Sequence, residues 1–157
     1  MQILGMITVC ISGLGLSMLL IYREELALRR VNALIRFFEF VRSSVRHYSM
    51  SASEIIRRCD GELLFLCGLA DGEDRPESFL DMAERCDIPD GEAEKIFSEF
   101  ARDFGKAYRE EQAAKCDGYI ARLTDRERKL GEELPSRRKM ILGLGISLTL
   151  ILVILLV

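Results

Sequence analysis

The chain holds one histidine, His47, so any Ser-His-Asp or Cys-His arrangement would have a single possible centre. His47 sits between Arg46 and Tyr48 near the end of an apolar-striped segment, a surface or capping position rather than a catalytic one. The five cysteines, Cys10, Cys59, Cys67, Cys86 and Cys116, are odd in number and form no CxxC pair. That spacing argues against a disulfide framework or a zinc site and for buried, reduced thiols. Adjacent carboxylates occur at Glu24-Glu25, Glu110-Glu111 and Glu132-Glu133, but all lie in charged, helix-patterned stretches where they serve solubility. HExxH, Walker A and GxGxxG patterns are absent. No catalytic residue, metal ligand, cofactor or small-molecule substrate is assigned.

With no reaction in view, the arrangement of charge carries the reading. All 22 Lys/Arg and 25 Asp/Glu residues fall between Arg23 and Lys139. The flanking stretches, residues 3–22 and 140–157, carry none. A helix of 18 to 20 such residues is roughly 30 Å long, the thickness of a bilayer's hydrocarbon core. The expected organisation is a transmembrane helix over 1–22, a cytoplasmic helical bundle over 23–139 and a second transmembrane helix over 140–157. No basic residue precedes the first stretch and no small-x-small site closes it, which favours an uncleaved anchor over a signal peptide. Arg23, Arg29, Arg30 and Arg36 follow the first stretch, and Arg137, Arg138 and Lys139 precede the second. The positive-inside rule then places the middle in the cytoplasm, with these residues as the membrane-proximal basic set facing lipid headgroups. Gly13 with Ser17, and Gly143 with Ser147, are small-xxx-small pairs suited to close helix packing in a membrane.

Between the ends the periodicity is helical throughout. Val31, Leu34, Phe38, Val41, Val45 and Tyr48 form a stripe on a helix continuing directly from the first span. Ser51-x-x-Glu54 reads as a capping box opening a helix over 55–59, with Gly61 near its end. Further helices are expected over 62–70, 77–86 and 91–104, the last capped by Asp90 or Gly91. Residues 71–76 read as a loop. A long helix over 107–133 carries Cys116, Ile120, Leu123, Leu130 and Leu134, and Pro135 is expected to interrupt it before the second span. Phe37, Phe38, Phe97, Phe100 and Phe104 are the bulky core candidates.

The middle is also polarised. Residues 71–94 hold ten acids against two arginines, a net −8, whereas 23–46 and 120–139 are each +3. The acidic stretch reads either as a solvated, loop-rich lobe or as a surface that steers a basic protein partner and repels nucleic acid. Asp74, Glu77, Asp81, Glu84 and Asp87 are the candidate partner-binding residues, expected at the membrane-distal end of the bundle.

Several blocks together have a familiar order: Leu28-Arg29-Arg30-x3-Leu34-Ile35-x2-Phe38, then Phe104-Gly105 and Gln112, then Arg138-Lys139-Met140-Ile141-Leu142-Gly143-x-Gly145 with an apolar tail. The layout resembles the stage III sporulation protein AB family, whose soluble part resembles the cytoplasmic domain of the type II secretion F protein. The resemblance implies a non-enzymatic membrane platform in a secretion-like transenvelope channel of endospore formation. It would sit as a two-pass protein in the mother-cell membrane facing the forespore. Its implied partners are a cytoplasmic secretion-type ATPase and other membrane proteins of the complex. The alternative is a small membrane-anchored regulatory or signalling adaptor with no secretion role.

Overall fold

The computed structural model describes residues 2–48, 50–70 and 75–156, and the side chains of 2–11, 13, 14, 152, 153, 155 and 156 lie outside that description. Six helices follow one another: α1 (Gln2–Tyr48), α2 (Ala52–Arg58), α3 (Gly61–Cys67), α4 (Phe79–Arg85), α5 (Gly91–Asp103) and α6 (Arg109–Leu156). No strand occurs among the described residues. The chain divides into two compact units, residues 1–26 with 130–157, and residues 27–129.

The short helices start where a side-chain acceptor meets an otherwise unbonded first-turn N–H. The Ser51 backbone N–H donates to Glu54 Oε2 at 3.0 Å, the reciprocal half of a capping box. Asp60 accepts from Glu62 N at 3.1 Å, Ser78 from Asp81 N at 3.1 Å, and Asp90 from Ala93 N at 2.9 Å. Asp60 thereby makes Gly61 the first residue of α3 rather than the close of α2. α3 ends on Gly68 in the left-handed region, φ 73°.

Pro135 does not break the chain into two helices: α6 runs through it. The carbonyl it leaves without an i+4 donor belongs to Gly131, and both residues are exposed, so water can serve the freed group. The ion pair of Glu133 with Arg137, 2.9 Å apart, brackets the site one turn to the next.

In the 27–129 unit the α1 stripe is buried from Val31 to Val45, but Tyr48 at its end is exposed. Phe38 lies in an aromatic cluster, with ring centroids 4.5 Å from Phe100, 6.1 Å from Tyr119 and 6.2 Å from Phe97. Phe79 joins through Phe104 at 4.7 Å and Phe100 at 5.1 Å. Burying each ring is worth about 1.5–3 kcal/mol, and each favourable ring pair adds roughly 0.5–1.5 kcal/mol. From α6, Cys116 and Leu123 complete the core.

In the other unit, α1 and α6 approach closely at Ser17 and Gly145: Ser17 is buried, and a Cβ on Gly145 would collide with its hydroxyl. The expected pair Gly143 and Ser147 is not at this contact. Gly143 faces open space and Ser147 is exposed, because two positions along a helix turn about 200° and put 143 and 147 on the side opposite 145. Gly13 lies outside the described side chains. Arg137 pairs with Glu24 at 3.2 Å and Arg138 with Glu25 at 2.9 Å. Among the described residues no helix is long and apolar enough to cross a membrane. The uncharged stretches 3–22 and 140–157 fall in part on residues outside the description.

Truncating a fully buried ring of this cluster, Phe38→Ala, should lower unfolding free energy by about 3–5 kcal/mol, since the cavity opens among rings that cannot collapse independently. Denaturant titration of the full chain in detergent measures this, and a loss below about 1 kcal/mol would show that the cluster is not the core.

Candidate interaction surface

The acidic stretch does not behave as one surface. Asp90, only 7% exposed, caps α5 and also holds Arg126 of α6 in a two-pronged pair, with Nη2 to Oδ1 at 2.6 Å and Nε to Oδ2 at 3.0 Å. Arg126 reaches Glu92 as well, at 3.1 Å. Asp87 accepts from Arg30 Nη1 of α1 at 2.6 Å, while its backbone N–H donates to Gly68 O at 2.8 Å. Gly68 is required there: besides its positive φ, a Cβ would lie 2.5 Å from Asp87 O and 3.1 Å from the Arg30 guanidinium. These two aspartates therefore fasten the acidic stretch onto the basic helices of its own unit.

The remaining candidates stand differently. Glu77 and Glu84 are exposed, with Glu84 near the end of α4. Asp81 is partly covered, paired with Arg85 at 2.8 Å and accepting from Glu77 N at 3.3 Å. Asp74 lies outside the described residues. Of the basic set within 27–129, Arg29 and Arg36 are exposed, whereas the Arg30 side chain is mostly covered and pairs with the exposed Asp87. In the other unit Arg23 and Lys139 are exposed, and Arg137 and Arg138 hold Glu24 and Glu25.

Three further cross-links tie α6 to its neighbours: Arg42 to Asp117 at 2.6 Å, Arg122 to Glu99 at 2.7 Å, and Asn32 to Glu127 at 2.9 Å. The Arg122 hydrogen bond holds the Glu99 carboxyl below its ordinary range. At the turn into α6, Gln112 is buried and its Oε1 accepts from Gly105 N at 3.1 Å, with Gly105 at φ 85°. This gives the Phe104-Gly105 and Gln112 blocks a physical meaning: the glutamine holds a turn only glycine adopts easily. The adjoining recess, about 380 Å³ over Val45, Phe104 and Ala107, is open and shallow.

The chemistry of the reactive groups is muted. Cys59, Cys67, Cys86 and Cys116 are free thiols, three of them buried. Burial pushes Cys59 and Cys116 up to about 11 and raises Cys67 further, so all stay protonated and poorly nucleophilic near neutral pH. Cys10 lies outside the described side chains. No group of three His, Cys, Asp or Glu among the described residues could hold a metal ion. His47 is exposed beside the Tyr48 ring.

The Asp90–Arg126 node was not readable from spacing: Asp90 announces itself as a cap, but nothing names an arginine 36 positions away as its partner. The same holds for Arg30 and Asp87.

The fold and its surfaces define an all-helical protein built around two long helices, with short capped helices fastened between them by ion pairs. The chain belongs to the stage III sporulation protein AB family, whose family model matches residues 77–157, just over half of it. The matched part contains Phe104-Gly105, Gln112 and the Arg138 to Gly145 block, while the Leu28 to Phe38 block precedes it. No curated protein and no solved structure matches the chain. Membership ties its role to sporulation.

Two outcomes follow. Asp90→Ala should cost about 3–5 kcal/mol by stranding Arg126, Asp90→Asn distinctly less because the cap survives, and the Asp90→Leu/Arg126→Met pair should regain most of the loss. Denaturant titrations of the four proteins give the comparison, and equal losses for Ala and Asn would mean the cap contributes nothing and the charge pair carries the whole effect. Separately, the folded thiols keep protons that unfolded thiols release above their ordinary value of 9.0. Their contribution to stability is therefore whole below pH 9 and declines as pH rises toward about 11. Melts at pH 7 to 11 should show this fall, and a Cys59→Ala/Cys116→Ala variant should show a shallower one.

Proposed function

We propose that the protein is a non-enzymatic, two-pass membrane platform of a secretion-like transenvelope channel acting in endospore formation. Residues 3–22 and 140–157 cross the membrane, and 27–129 is cytoplasmic and docks a secretion-type ATPase together with other membrane proteins of the complex. The observation that supports the membrane seat is the exposure of large apolar side chains along the charge-free helix ends, away from the Ser17–Gly145 contact. Leu16, Met18, Leu19, Leu20 and Tyr22 of α1, and Met140, Leu142, Leu144, Ile146, Leu148, Leu150, Ile151 and Ile154 of α6, are each at least 42% exposed. Water would penalise such a surface, whereas lipid tails accept it. The flanking Arg23 and Lys139 are exposed and suited to anionic headgroups. Ser17 against Gly145 is the close, small-residue contact that helix pairs use where lipid gives no hydrophobic drive. Family membership supports the sporulation setting. The likeness of the soluble part to the type II secretion F domain belongs to this same proposal.

Single cysteines placed at Glu62 and Glu84 in a variant lacking the native thiols should resist a membrane-impermeant maleimide in intact cells and react after lysis. Labelling from outside would overturn the topology. The ATPase should co-purify with the membrane-embedded chain, and its absence at low salt would favour the adaptor reading.

A further inference from the structure

The two ends of the 27–129 unit are unlike. At one end the chain enters at Ala27 and leaves at Lys129, and the pairs of Arg30 with Asp87 and Arg126 with Asp90 gather acidic residues there. The other end lies roughly 30 Å along α1, where Arg109 at the start of α6 donates to the backbone carbonyl of Arg46. α1 stops there at Tyr48, α2 opens at Ala52, and α5 gives way to α6 between Asp103 and Arg109. One recess of about 380 Å³ touches all four helix ends, and Val45, Met50, Ala52, Phe104 and Ala107 supply its apolar wall. A second recess, about 500 Å³, adjoins the first by sharing Arg109, and Arg46 and Glu110 line it too.

Charge decides what can enter. Among the described residues neither the Arg46 nor the Arg109 guanidinium pairs with a carboxylate, and both residues are exposed. Nearby acids are engaged: Glu54 accepts from the Ser51 N–H and hydroxyl, and Asp103 holds Lys106 and Tyr119. Two guanidiniums then face the single carboxylate of Glu110. A free anion would satisfy the arginines and leave the apolar recess empty. Lipid headgroups are no better an occupant, because the chain joins the proposed spans through Ala27 and Lys129, at the opposite end. A second copy would set arginines against arginines. A protein segment with an apolar side chain beside a carboxylate fills the first recess and meets the arginine forks of the second. Tyr48 and Tyr108, 69% and 89% exposed at this same end, add the residue type that protein interfaces favour.

We propose that the recess walled by Met50, Ala52, Phe104 and Ala107, together with Arg46 and Arg109, is a docking seat for an acidic, apolar-tipped segment of a protein partner. The assignment rests on the platform reading, in which that partner is the secretion-type ATPase. The arginines set the rate of encounter and its salt dependence, and the recess sets how long the complex lasts.

The test is biolayer interferometry of the purified ATPase on the full chain in phosphatidylcholine nanodiscs, across a salt series. Met50→Ser should weaken binding by roughly tenfold or more through faster dissociation, with the salt slope unchanged. Ala52→Glu should weaken it as much, and its acid in the first turn of α2 leaves the fold intact, so it gives a reading even if Met50→Ser unfolds, which circular dichroism monitors. Arg46→Glu should slow association and flatten the salt slope. Glu77→Lys/Glu84→Lys, on the acidic stretch, should change neither rate by more than about twofold. Unchanged dissociation in Met50→Ser and Ala52→Glu would overturn the seat while leaving the platform standing. A loss confined to Glu77→Lys/Glu84→Lys would move the docking surface to the acidic stretch. A wild-type chain that binds no ATPase would overturn the platform, and the seat's partner with it. Self-association of the wild type that disappears in Ala52→Glu would assign the seat to a second copy instead.

Discussion

Asp90 does two things that no neighbouring residue could do for it. Its carboxylate accepts the first-turn N–H of Ala93, so α5 begins where it does, and it grips Arg126, so α6 lies at one register against α5. Taking both charges out of water is costly, and such a pair adds little net stability over an apolar contact of the same volume. What it adds here is selection. The aromatic core of Phe38, Phe97, Phe100 and Tyr119 could pack in more than one sliding arrangement, since rings are tolerant of offset. An arginine fork on a buried cap is not tolerant: shifting α6 by one residue would strand Arg126 and leave the Asp90 carboxylate without its counter-ion. Ion pairs from Arg42 to Asp117 and from Arg122 to Glu99 hold the same register from the exposed side, where each is individually weak.

Legibility in the sequence followed the range of the interaction. Local chemistry was plain: the Ser51 and Glu54 capping box, Asp90 as an N-cap and the α1 stripe all depend on residues within one or two turns. The charge-free ends were equally plain as a matter of composition. Misplacements came where a residue had two local meanings and a distant or solvent contact chose between them. Gly61 could end one helix or open the next, and Asp60 chose the second. Pro135 could stop a helix or sit exposed within one, and its outward position allowed the second. Gly143 with Ser147 and the lone Gly145 are both small-residue signals, and only the rotation of α6 against Ser17 distinguishes them. The partners of Asp87 and Asp90 were out of reach because nothing in spacing encodes a contact across 57 or 36 residues.

The candidate surface illustrates the same limit from the other direction. A net charge of −8 over residues 71–94 describes a stretch of chain, not a face. Folding removes part of it from play: Asp87 answers Arg30, and Asp90 with Glu92 answers Arg126. These pairs hold basic residues of α1 and α6, while Glu77, Glu84 and Glu94 are exposed acids outside them. The acids that looked alike in sequence thus divide into fasteners and free charge.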